Sequence, residues 1–440
     1  MISRCSAMLW AVLAAGMPFV ANAATAAPAP VVPILEHSNG VTFIRQQDDA
    51  ASLVGAQIVL RAGLDRQSLR QSGLAALVAQ TILRTPVAGS TMTLQDAIAA
   101  QGGSIHFAID PDDVRFYVES LPSAGTAVFS LFAHALAAPS IDPVTVRAAR
   151  SDLFARIAQD QSAALAVGLD MLDRVHTTDA NAALPMLGTS ASLAQLVPGD
   201  VQAFYSKYYR RGGAYVSAVG RIDALAPDAL TQLADAVPAG TTSPIAVHIA
   251  PLEGTSRQLV AHRDIQAPWL MAQYSAPDAD SKDFGPMLVL AAFMQRTLAD
   301  IVEVPGVVSP TFASNSVGAL YDYARQPASL TLYVNGGIGN PDRAFGTALS
   351  VVNVLATTKL TGSIDDFKSM AYGDFVTSAT TLESRAWLAT VFAEQVASPD
   401  YVARAMQAIS ATTPADIQRV AKLYLDKPTI ALVLPRQQQL

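Results

Sequence analysis

The sequence predicts an α+β protein built from two homologous halves, each a mostly antiparallel sheet with helices packed on it. Three observations lead there. Pro198-Gly199-Asp200-Val201-Gln202 runs through Tyr208 into the strand-like Ala214-Tyr215-Val216-Ser217-Ala218-Val219. Pro414-Ala415-Asp416-Ile417-Gln418 runs through Tyr424 into Ile430-Ala431-Leu432-Val433-Leu434, and Pro, Asp, Gln and Tyr match at one offset of 216 residues. Agreement in pattern as well as identity favours an internal duplication. Short β-branched runs are mixed with helix-period segments opened by proline, as α+β domains require. Finally, 51% of the 440 residues are hydrophobic and 15% are charged, which suits a large buried core and excludes a disordered chain.

Taken in order, the chain opens with the pattern of a secretory signal. Arg4 supplies the charge, 7–20 is a short apolar stretch, and Ala21-Asn22-Ala23 fits a small-x-small cleavage site. An uncleaved anchor is the rival reading, but the run is short and Pro18 interrupts it. The expected product is an exported, periplasmic protein beginning after Ala23. Residues 24–33, rich in Ala and Pro, read as a flexible lead-in. The single cysteine, Cys5, lies in the signal, so the mature chain has no disulfide, thiol nucleophile or cysteine metal site. A net charge of −7 argues against nucleic acid or an anionic membrane as partner.

In the first half, 41–44 and 53–61 read as strands, and 72–83 as a helix with Leu74, Leu77, Val78 and Ile82 on its apolar side. Residues 105–109 and 114–120 look like paired strands joined around Asp110-Pro111-Asp112-Asp113. Pro143 opens a long helix reaching about Leu172, on which Asp152 and Arg156 are spaced as a helix-stabilising pair. The second half opens near Leu259. It shows helices near 285–300, 341–356 and 382–393 and strands at 329–334 and 429–434. The Gly, Pro, Thr and Ser of 238–256 make it the linker, leaving domains at 34–237 and 257–440.

The segment Gly73-Leu74-Ala75-Ala76-Leu77-Val78-Ala79-Gln80 resembles the metal-binding helix of the pitrilysin/insulinase zinc peptidases, G-L-A-H-x-x-E-H, the inverted zincin motif. Further weak motifs extend the likeness over nearly the whole mature chain. They are Ser38-Asn39-Gly40-Val41, Ala62-Gly63, Gln101-Gly102-Gly103-Ser104, Tyr208-Tyr209-Arg210-Arg211 (with Arg211 replacing the family's proline) and Val219-Gly220. The resemblance implies a processing-peptidase-like fold. It places Ala76 and Gln80 at the two His ligands, Ala79 at the catalytic Glu and Arg156 at the third ligand, a Glu on a later helix. Two His at i and i+4 converge on one zinc, and a Glu between them can activate its water. Alanine has no donor atom, the Gln80 amide is a poor zinc ligand, and a guanidinium cannot bind a cation. The resemblance also places Val302 and Ser309 where the family has an oxyanion-steadying Arg and Tyr.

The resemblance further implies four such domains closing around a peptide, of which this chain holds two. The expectation is a catalytically silent subunit, itself without cofactor. It would assemble with a sister peptidase chain that carries the zinc, as a heterodimer, or else form a homodimer, with peptides as substrates. The alternatives are a stand-alone peptide-binding protein and, behind it, a peptidase using other ligands. Gly103, Ser104, Ile105, His106 and Phe107 fall where the family has an edge strand to which peptides add through main-chain hydrogen bonds. The competing reading makes His106 a polar-face residue and Phe107 core.

Other motifs carry less. The six histidines, His37, His106, His134, His176, His248 and His262, come no closer than 14 residues in sequence, so no local two-His metal motif exists. Glu36-His37 mimics the end of the motif, but Pro33 stands at the first His position. Gly336-Gly337-Ile338-Gly339-Asn340-Pro341-Asp342 lacks the last glycine of a dinucleotide loop and the Lys-Ser/Thr of a P-loop. Asn340 as N-cap and Pro341 at the first helical position explain it. No G-x-S-x-G elbow supports a serine hydrolase. The sequence expects hydrogen bonding and packing, with Gln80 facing Arg156, to fill the space a zinc would organise.

Overall fold

The computed structural model describes residues 32–160, 163–175, 181, 183–242, 258–302, 317–324, 327–335, 345–346, 349–353 and 363–436. The expectations for the signal, most of the lead-in and linker, His176, His248, Ser309 and the 336–342 loop lie outside the described residues, as does much of the 341–356 helix.

The first half begins with a hairpin of β1 (Ile34–Ser38) and β2 (Val41–Gln47). Asn39 and Gly40 turn it at φ 52° and 77°, the left-handed geometry for which Asn-Gly is favoured. Then come β3 (Val54–Leu60), α1 (Leu74–Leu83), α2 (Leu94–Ala100), β4 (Ser104–Ile109) and β5 (Val114–Ser120). Helices α3 (Pro122–Ala137), α4 (Pro143–Asp160), α5 (Ala164–Asp173), α6 (Ser190–Gln195) and α7 (Pro198–Tyr208) lead to β6 (Ala214–Gly220) and α8 (Ala229–Asp235). The second half contains β7 (Gln258–Arg263), β8 (Trp269–Ser275), α9 (Phe284–Val302), β9 (Val317–Asp322) and β10 (Ser329–Asn335). It closes with α10 (Asp365–Ser378), α11 (Leu382–Gln395), α12 (Tyr401–Ala411), α13 (Pro414–Tyr424) and β11 (Thr429–Pro435).

Two sheets result, ordered β1-β2-β6-β3-β5-β4 and β7-β11-β8-β10-β9. In each, one pair is parallel, β2 with β6 and β7 with β11, and the other pairings are antiparallel. The second order repeats the first strand for strand once β1 is set aside. The sequence repeat therefore has a structural counterpart, with α7 and β6 answering to α13 and β11. Among the described residues the expected α+β fold is present in both halves.

The helix expected from Pro143 to about Leu172 is two helices. α4 ends at Asp160, and Ala163 is extended, with φ −90° and ψ 90°, before α5 begins. Their packing explains the break. α4 lies on α1 in the first half, whereas α5 lies on β11, β8 and β7 of the second. There Ala164 and Leu172 join Met271, Ala431 and Val433 in one buried cluster. A β-carbon on Gly168 would fall 2.2 Å from Met271 Cε, so glycine is what lets α5 sit this close.

The exchange is mutual. α11, from the second half, lies on β6, β3 and β2 of the first sheet. Arg61 pairs with Glu394, Arg385 donates to Asp48 at 2.6 Å, and Arg115 lies 3.9 Å from the Trp387 ring centroid. Ile44, on β2, belongs to the second half's core although its neighbours Val41 and Phe43 belong to the first. Each sheet thus has one face on its own helices and one on a helix from the other half.

Candidate functional site

Helix α1 forms the centre of the candidate site. Gly73 precedes it at φ +90°, and a β-carbon there would meet Leu187 O at 2.7 Å, so both conformation and space demand glycine. The Gln67 side chain accepts the otherwise unpaired Ala75 N–H at 3.2 Å, one of the orphan donors of a helix start. All ten residues of α1 are buried, as expected of a helix enclosed by α2, α3, α4, α7 and β4.

Ala76 and Ala79 are both fully buried, and Gln80 is 8% exposed. The Gln80 amide donates to Asp152 Oδ2 on α4 at 2.9 Å. Arg84, the residue that caps the C-terminal end of α1, grips both oxygens of the same carboxylate, through Nε and Nη2, each at 2.5 Å. This is the paired fork geometry that makes arginine–carboxylate contacts strong. Asp152 therefore ties α4 to α1 across the helix pair and does not pair with Arg156 along α4 as its spacing suggested. Gln80 on α1 and Arg84 just after it hold the carboxylate, while Arg156 is exposed on its own helix.

Arg156 is exposed, and its guanidinium lies 5.4 Å from the Phe107 ring centroid. The expected Gln80–Arg156 contact is replaced by two separate ones, Gln80 on Asp152 and Arg156 over Phe107. Among the described residues no three His, Cys, Asp or Glu side chains group so as to hold a metal ion. The donor set at the family's positions does not fit zinc. It offers two methyl groups, one amide already bonded to a carboxylate, and one cation.

β4 is the edge strand of the first sheet and pairs with β5. Gly102 is left-handed at φ +74°, and a β-carbon on Gly103 would meet Glu119 O at 2.7 Å. This pair of constraints explains the glycines before the strand. Ile105 and Phe107 point into the core at 4% and 2% exposure, while Ser104 and His106 are exposed. Phe107 is core and His106 is on the polar face. His106 Nε2 lies 2.8 Å from Glu383 Oε1 in the first turn of α11, and its ring is 5.5 Å from that of Tyr117. The hydrogen bond from His106 is the main reason the Glu383 carboxyl sits below its ordinary pKa. Sequence reasoning missed Glu383, because nothing local marks it as a neighbour of β4. Val302 is the last residue of α9. His37 bonds Thr42 across the β1–β2 hairpin at 3.0 Å, in keeping with its place in a strand.

The sequence matches no family model and no curated protein. Solved structures do match. A protease from Helicobacter pylori superposes with a TM-score of 0.74 at 13% identity, covering 92% of this chain and 100% of that one. A peptidase M16 inactive domain from Pseudomonas fluorescens gives 0.72 at 16%, covering 93% and 99%. A chain of Complex III2 from Candida albicans gives 0.74 at 15%, covering 91% and 95%. These likenesses establish the fold. It is that of M16-like peptidases, in agreement with the two-half α+β architecture and with the resemblance carried by the α1 segment.

Proposed function

We propose that this chain is a non-catalytic M16-type peptidase homologue that is exported and works on peptides as the partner of a zinc-bearing sister chain. One observation carries the reading. Where the resemblance places ligands and base, Ala76 and Ala79 are closed into the core and Gln80 is committed to Asp152. A water activated by zinc needs three protein ligands and a base nearby, and these residues supply neither. Two domains of this fold leave half of a four-domain chamber to be completed by another chain. That an M16 inactive domain and a chain of a multi-subunit complex share the fold supports a role through assembly, although fold alone transfers no activity. The β4 edge from Gly103 to Phe107 is the proposed peptide contact, with Ser104 and His106 outward.

In this arrangement the chain contributes enclosure and substrate position to its sister's reaction, not a reacting group. The test is a peptide-cleavage assay of each chain and of their mixture, with and without chelator. The expected result is no cleavage by this chain alone and faster, chelator-sensitive cleavage in the mixture than by the sister alone. A sister chain that is fully active alone and never associates would remove the subunit reading. A lone chain that binds peptides would then make it a stand-alone binding protein.

A further inference from the structure

We propose that Arg61 is a pH-operated latch between the two halves: it holds Glu394 of α11 while Asp113 is neutral and is drawn off it when Asp113 ionises. The latch lies in this chain alone and needs neither peptide nor partner, so it stands apart from the function proposed above.

The turn between β4 and β5 is clamped to the residues that follow β3. The N–H groups of Leu64 and Asp65 donate to the carbonyls of Asp110 and Pro111 at 3.2 and 2.8 Å, and a β-carbon on Gly63 would fall 2.4 Å from Asp113 N. This close approach brings three carboxyl groups to one guanidinium. Arg61 Nη1 donates to Asp112 Oδ2 at 3.0 Å and lies 3.9 Å from Asp113 Oδ2, while Nη2 donates to Glu394. Asp113 is 4% exposed, and its Oδ1 is closed to solvent without a hydrogen-bond partner. Ionised, it would be a buried charge with no donor on that oxygen, beside a cation already shared by two other carboxylates. Burial, then the neighbouring Asp112 and Asp110, push its carboxyl well above the ordinary value against the pull of Arg115 and Arg61.

The other groups around the cluster are engaged elsewhere. Arg115 lies 3.0 Å from Asp110 Oδ2 and 3.9 Å from the Trp387 ring centroid. Asp65 and Arg66 pair with each other at 3.2 Å. The Tyr215 ring, 5.9 Å from the Arg61 guanidinium, has its hydroxyl pushed up by burial. Arg61 is therefore the cation that answers when Asp113 ionises. Its partner Glu394 is 37% exposed, and a surface pair is worth little, whereas an unpaired buried charge is costly. The guanidinium moves to Asp113, and the last turns of α11 lose their tie to the first sheet. Arg385 on Asp48 and Glu383 on His106 hold the other end of the helix, so the loosening is local. A carboxyl raised by folding costs stability progressively as pH climbs from the ordinary carboxylate range through the raised value.

Hydrogen-exchange mass spectrometry of the purified protein tests this, run from about pH 5 to about pH 9 and corrected for the intrinsic pH dependence of amide exchange. Protection in the last two turns of α11 should fall by roughly tenfold or more as pH rises, with α1 unchanged. Asp113→Asn should keep those turns protected throughout. Glu394→Gln, at an exposed helix position, should leave them poorly protected at every pH, and it decides the matter if circular dichroism shows Asp113→Asn unfolded. Protection that does not vary with pH in the natural chain would overturn the proposal. So would an equal fall in α1, the mark of general loosening, or a pH dependence that survives in either variant.

Discussion

At the residue scale, the account rests on what replaced a ligand set. That Ala76, Ala79, Gln80 and Arg156 offer no set of zinc donors is a matter of residue type and is read directly from the sequence. What those positions do instead was not legible. Asp152 was visible as a helix-spaced partner for Arg156, yet it binds Gln80 and Arg84, because the packing of α4 on α1 decides its reach. The site is also closed. Ala76 is 0% exposed, so Ala76→His forces an imidazole into filled space. We expect a loss of about 1–3 kcal/mol, read from the midpoint of denaturant unfolding. An unchanged midpoint would show that a void exists beside α1 and that the site is not packed shut.

At the element scale, most strands and several helices followed from local pattern, among them β2, β3, β4, β5, β10, β11, α1 and α11. The end of α4 did not, because α4 and α5 are each acceptable helix and only the demand of a different sheet separates them. The role of α11 was equally hidden, since its mostly apolar run from Ala386 to Ala393 says that it is buried and not against what. Its Arg385–Asp48 pair gives a test. Both side chains are mostly buried, at 14% and 20% exposure. Burial raises the Asp48 pKa, but Arg385 and the backbone N–H groups of Ala50 and Ala51 together outweigh it, and the carboxyl ends below its ordinary value. A carboxyl depressed on folding stabilises the native state above its unfolded pKa, and that contribution disappears as pH falls through the depressed value. Arg385→Ala should therefore cost about 1–3 kcal/mol at neutral pH, with the gap to wild type closing on acidification below the ordinary carboxylate range. A gap that stays constant with pH would mean the loss is one of packing and not of charge.

At the scale of the whole molecule, the duplication read from 198–219 and 414–434 gave the two-half architecture, and the strand orders of the two sheets repeat it. The exchange of α5 and α11 was beyond the sequence, because neither helix carries a mark of which sheet it covers. Its consequence is that the halves are not independent. Residues 32–242 expressed alone would lose the cover that α11 provides, and 258–436 alone would lose α5 from Met271 and Val433. We expect each fragment to be unfolded or aggregated alone and the pair to recover cooperative unfolding on co-expression. A soluble 32–242 fragment with native near-ultraviolet circular dichroism would contradict the exchange as a source of stability.

The central claim is that the position of the family's metal is rebuilt for packing, and zinc stoichiometry is its most direct test. The purified protein would be equilibrated with zinc, dialysed against zinc-free buffer and assayed by elemental analysis beside a variant carrying Ala76→His, Ala79→Glu, Gln80→His and Arg156→Glu. The account expects no stoichiometric zinc in the natural chain, and a gain, if any, only in the fourfold variant. One zinc per natural chain, lost on Gln80→Ala, would contradict it.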